Sequence, residues 1–166
     1  MVSALAALGL LAAGCSDDPQ RGFAVPEQLC GVAVPSEALS KLLPASGDEL
    51  RTAGRAPGEA ETGGCEVSVD GNTVLTLKRE TAGAGRSAWN ILSYDHGAGQ
   101  AEKADGDKVA YTAGAAVSLV RCTAEGRKGD ALGTYIVTVA PGRKDAAAMK
   151  DLASGYTAAL EKLGAC

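Results

Sequence analysis

The sequence predicts an α+β domain: an antiparallel sheet covered on one face by a short N-terminal helix and a long C-terminal helix, held by two disulfides. Three observations carry that expectation. Residues 65–70 alternate strictly between apolar and polar, and residues 73–79 return after an Asp70-Gly71-Asn72 turn, the pattern of a hairpin. Met149, Leu152, Tyr156, Leu160 and Leu163 recur at steps of three and four, the apolar stripe of a packed helix. Beyond the first cysteine, four remain at Cys30, Cys65, Cys122 and Cys166, an even number that suits a disulfide framework.

Taken in chain order, residues 1–14 carry no charge and form an apolar run of small and aliphatic side chains. The run is too short to cross a bilayer, which needs roughly 20 residues. Its length and small-residue ending are those of a secretory signal. A signal of this kind begins with basic residues, and the first Lys or Arg here is Arg21, so the basic start is expected upstream of Met1. Residues 15–28 follow as a cysteine and a polar tether, and residues 29–166 as a single α+β domain. Leu39, Leu42 and Leu43 share one face of a short helix over residues 34–43, which Pro44 stops. Residues 45–64, rich in Gly, Ala and charge, are expected to be a loop. Residues 87–94 fit either a short helix or a strand, whereas 108–112, 116–122 and 134–139 fit strands. The last two flank a polar loop as a hairpin, and the long helix runs from about residue 145 to 163, with Gly164 as its stop. Gly155 lies beside the helix stripe, where it would allow close packing on the sheet.

Four cysteines allow three pairings. The sequential one, Cys30–Cys65 with Cys122–Cys166, is expected because each bond would tie a helix end to a strand end. No pair has the spacing of a zinc ribbon or a thioredoxin site. A net charge of -4 and a pI near 5.0 argue against a nucleic-acid partner.

The segment Leu11-Ala12-Ala13-Gly14-Cys15 resembles the lipobox of bacterial lipoproteins, with Ala12 where that motif prefers a larger aliphatic residue. Together with Leu29-Cys30, Gly64-Cys65-Glu66-Val67, Cys122 and the Leu163-Gly164-Ala165-Cys166 ending, the pattern resembles small actinobacterial extracytoplasmic lipoproteins of unknown function. The resemblance implies diacylation of Cys15, cleavage before it, and a place on the outer face of the cell membrane. It brings no activity.

Chemical motifs are sparse. Gly83-Ala84-Gly85-Arg86-Ser87-Ala88 imitates a dinucleotide fingerprint, but it follows a hairpin strand instead of opening a βαβ unit, so no cofactor is expected. Asp105-Gly106-Asp107 lacks the rest of a calcium loop, and no metal is expected there. His96 is the only histidine and has no nucleophile motif near it. Trp89, Tyr94 and His96 form the candidate ligand patch, and Arg127, Lys128, Arg143 and Lys144 a candidate basic cluster. The expected function is a non-catalytic binding or accessory module of the cell envelope, reaching a membrane-proximal protein, a lipid or a wall polymer. The alternative is an envelope hydrolase with a site near His96.

Overall fold

A computed structural model of the chain describes residues 21–57, 63–122 and 130–164. The described residues form a seven-stranded antiparallel sheet, a two-stranded hairpin and three helices. The hairpin comes first, β1 (Gln28–Leu29) and β2 (Val32–Ala33), then helix α1 (Ser36–Leu42). Strands β3 (Leu50–Gly54), β4 (Gly63–Val69) and β5 (Asn72–Ala82) follow. A one-turn helix α2 (Ala88–Asn90) runs into a π-helical turn (Ile91–Asp95). Strands β6 (Glu102–Ala104), β7 (Val109–Tyr111), β8 (Ala115–Arg121) and β9 (Ala131–Thr138) lead to helix α3 (Ala146–Lys162). The strand order is β3-β4-β5-β9-β8-β7-β6, with every pairing antiparallel.

The predicted hairpin is β4–β5, and its turn residues Asp70 and Gly71 both have positive φ, as a two-residue turn matched to strand twist requires. The Asp70 carboxylate accepts hydrogen bonds from the backbone N–H groups of Asp48 and Glu49, so the same turn positions the start of β3. Residues 50–54, expected as loop, are therefore a strand. They lie at the sheet edge, and four of the five are exposed, which leaves no alternation to read.

The expectation of a sheet covered on one face needs correction. On the first face, Val67, Leu75, Leu77, Leu132 and Ile136 pack with Leu39 and Leu42 of α1 and with Met149, Leu152, Tyr156 and Leu160 of α3. On the second, Ala110, Val117, Leu119 and Ala131 pack with Ala88, Ile91 and Leu92 of α2 and the π-turn. Strand β8 alternates between these two cores, so six of its residues are buried in succession. A run of that kind is typical of strands covered on both sides.

Helix α3 matches the expected boundaries. Asp145 caps it by accepting from the Ala148 N–H at 2.9 Å, and Gly164 follows with φ +62°. Gly155 packs against the ring of Pro35, not against the sheet. A Cβ at Gly155 would overlap that ring. Gly155→Ala gains about 1 kcal/mol of helix propensity, but pushing α3 from Pro35 costs about 1–3 kcal/mol. The expected net result is a modest loss of stability, read as a lower urea midpoint; a higher midpoint would show that Pro35 gives way.

The Cys30–Cys65 bond is present, with a Cα–Cα separation of 5.7 Å. It ties the turn between β1 and β2 to β4, where a helix end was expected. The expected partner of Cys122, Cys166, lies outside the described residues, as do Cys15 and the proposed signal. Cys122 itself is buried directly after β8. Within the tether expected over residues 15–28, Arg21 is held by the folded domain: it donates to Ser40 Oγ and Ser40 O, each at 2.6 Å, and to Pro44 O at 2.7 Å.

Candidate functional site

The candidate patch is built on the turn that covers the second face. Ser87 starts α2 by accepting from the Asn90 N–H at 3.1 Å. One turn later the backbone widens, and His96 N–H donates to Ile91 O at 3.2 Å, the i to i+5 spacing of a π-turn. Ile91 and Leu92 point into the core of the second face, which leaves Tyr94 and Asp95 exposed. Trp89 is fixed by its Nε1–H, which donates to Ala101 O at 3.0 Å.

Two of the three patch residues meet. The rings of Trp89 and Tyr94 make an edge-to-face pair with centroids 5.6 Å apart, and Tyr94 is 72% exposed. His96 turns the other way and stacks flat on Tyr135 of β9, with centroids 3.6 Å apart. Its Nε2 lies 3.8 Å from Glu80 Oε1, close enough for an ion pair on protonation but beyond hydrogen-bond reach. That nitrogen and the Ser93 hydroxyl are both buried without a hydrogen-bond partner.

Beside the stack is a small cleft of about 80 Å³, walled by Glu80, Arg86, Asp95, Val117 and Tyr135. Arg86 and Asp95 pair across it at 2.6 Å, and Lys78 approaches Glu80 at 3.7 Å, so the opposed charges are matched locally. Burial pushes the Tyr135 phenol above its ordinary value, which keeps it a neutral hydrogen-bonding group. Neither ring of the Trp89–Tyr94 pair lines this cleft.

Sequence reasoning missed Tyr135, Glu80 and Arg86. Tyr135 and Glu80 were legible as alternate positions on β9 and β5, but only under the assumption that the second face was covered. Arg86 sits in the turn before α2, where spacing gives no sign of its partner. Asp107, weighed as a calcium ligand, instead pairs with Lys103 at 3.2 Å. It stands in a turn where Asp105, Gly106 and Asp107 all have positive φ. Among the described residues no group of three or more His, Cys, Asp or Glu side chains is placed to hold a metal ion. Of the expected basic cluster, Arg127 and Lys128 lie outside the described residues, and Arg143 donates to Ser40 O at 3.0 Å. Comparison of the chain with protein-family models, with curated proteins and with solved structures finds no match.

Proposed function

We propose that the chain is a lipoprotein anchored through Cys15 to the outer face of the cell membrane, serving as a non-catalytic binding module of the envelope. The observation that carries the location is the Cys30–Cys65 disulfide, because such bonds persist in oxidising compartments and are rare in the cytosol. A second bond, Cys122–Cys166, belongs to the same proposal: it would staple the end of α3 to the end of β8.

Two or three acyl chains on Cys15 suffice for stable anchoring, at about 0.8 kcal/mol per buried methylene, where a single chain is marginal. Because Arg21 is held by the domain, the link from Cys15 to it spans at most about 20 Å even when fully extended. The domain would lie against the membrane, and its partners would be membrane-proximal. Binding through the Trp89–Tyr94 pair suits the geometry better than hydrolysis does. A hydrolase at His96 requires Nε2 to meet a hydroxyl, and that nitrogen faces the Glu80 carboxylate instead.

Cys15→Ser tests the anchor. The variant is expected to leave the membrane fraction while the Cys30–Cys65 bond stays intact, and mass spectrometry of the membrane-extracted wild type should show a diacylated Cys15 at the new amino terminus. An unmodified Cys15 with residues 1–14 still attached overturns the lipoprotein reading.

A further inference from the structure

The sheet face beneath α3 carries one polar rung in an otherwise apolar core. Arg79 on β5 is the direct cross-strand partner of Thr134 on β9, and Thr134 that of Ser118 on β8. Directly opposed residues share a face, with Cβ atoms about 5 Å apart. Leu77, Leu132, Ile136, Ala116 and Val120, each two residues from a member of the rung, belong to the core of the first face. By strand alternation the rung points into that core as well. Arg79 is 3% exposed, Ser118 1% and Thr134 0%. Each nevertheless holds a buried polar atom, Nη1, Oγ and Oγ1 respectively, that has no hydrogen-bond partner among the described residues.

The charge on the rung is also unmatched. Among the described residues no carboxylate pairs with Arg79. Its guanidinium meets only the Arg55 carbonyl, which accepts from Nη2, and the Tyr156 phenol beside it. A buried lysine can shed its proton, but a guanidinium stays charged. Burying such an ion without a counter-charge is strongly destabilising. Water would satisfy the three orphaned atoms and leave the charge standing, whereas an anion answers both. An N–H and two hydroxyls can all donate, and they form one chain: Ser118 Oγ–H to Thr134 Oγ1, Thr134 Oγ1–H to the anion, and Arg79 Nη1–H to the same anion. The cover of α3 selects an occupant that is small and singly charged. A sulfate or phosphate would bring surplus charge and unsatisfied oxygens, and an organic carboxylate a carbon chain with no room in the packing.

We propose that Arg79, Thr134 and Ser118 form a buried site for a halide-class anion, chloride foremost, between the sheet and α3. The site lies on the opposite face of the sheet from the aromatic patch, and the proposal does not depend on the anchor or on the reading of the chain as a binding module.

The test uses the purified full chain, with sodium chloride replacing sodium gluconate at constant ionic strength. The urea midpoint of the wild type is expected to rise with chloride and then follow the logarithm of its concentration, the form given by one site present only in the fold. A crystal soaked in sodium bromide should show an anomalous peak in contact with Arg79 Nη1 and Thr134 Oγ1. Thr134→Val keeps the shape of the side chain and removes only its hydroxyl, so it should fold and weaken the apparent chloride affinity roughly tenfold. Arg79→Met should abolish the chloride dependence, and Ser93→Ala, on the π-turn over the other face, should leave it unchanged. Equal midpoints in chloride and gluconate overturn the proposal, as does a bromide-soaked crystal with no anomalous signal at the rung. So does a chloride effect that persists undiminished in Thr134→Val, which would mark a general action of salt on the surface.

Discussion

Tyr156→Ala is expected to lower the unfolding free energy by about 3–5 kcal/mol, as for other buried aromatic truncations. Tyr156 is 1% exposed and heads the fully buried side chains by size, standing on α3 over the first face of the sheet. Its removal opens a cavity that Met149, Leu152 and Leu160, fixed on the same helix, cannot close. It also strips the phenol from beside Arg79, a buried guanidinium whose Nη2 donates to Arg55 O and whose Nη1 has no hydrogen-bond partner. Tyr156→Phe isolates the hydroxyl and should cost only about 1 kcal/mol near neutral pH. The pH dependence then separates the two roles. Burial holds the Tyr156 phenol above its ordinary value of 10.0, with the Arg79 charge opposing. A raised value in the folded state means that the contribution is complete below the unfolded value and is lost as pH rises through the folded one. Urea midpoints of the wild type should therefore fall from about pH 10 upward, and more steeply than those of Tyr156→Phe. Parallel curves would show that the phenol ionises as readily in the fold as outside it.

Cys30→Ala with Cys65→Ala should cost roughly 4 kcal/mol, the chain-entropy value for a closed loop of this size. The bond spans a sequence separation of 35 residues and joins the β1–β2 turn to the sheet. Cys65 is 4% exposed, and Gly54 lies so close to the bond that a Cβ there would clash with Cys30 Sγ. Loss of the bond therefore also frees the β1–β2 turn from β4. The double variant, with Cys122 and Cys166 untouched, is to be unfolded in urea beside the wild type. A difference below about 1 kcal/mol would mean that packing around Cys65 holds the hairpin without the bond.

Elements with a one-sided or strictly periodic pattern were legible in the sequence. The β4–β5 hairpin, α3, strands β7 and β8, and β9 from Thr134 onward announce themselves by alternation or by helical spacing, whereas residues 131–133 of β9 were read as part of the preceding loop. Strand β3 did not, because an edge strand with exposed side chains on both faces has no apolar period. The π-turn was ambiguous for a different reason: Ile91 and Leu92 are adjacent, and a wide turn buries neighbours that neither a helix nor a strand would bury together. Second-face coverage was encoded in the unbroken burial of β8, yet a short apolar run of small residues reads equally as a one-sided strand with Ala outward. At the candidate site, Trp89 and Tyr94 were chosen as aromatic residues close in sequence, and they do meet. The His96–Tyr135 stack joins segments far apart in the chain, so no local pattern could reveal it.

The position of β9 has a kinetic consequence. It pairs with β5 on one side and β8 on the other, yet it follows both in the chain. Before it arrives, β3–β5 and β6–β8 can form only as two separate meanders, each with a raw inner edge. The edge of β8 is the hazardous one, being apolar on both faces and open to pairing with another chain. Local hairpins close within microseconds, whereas joining the two meanders must await a strand distant from β5 in sequence. The slow step of folding should thus be the pairing of β9 with β5, and losses during production should come from chains caught before it.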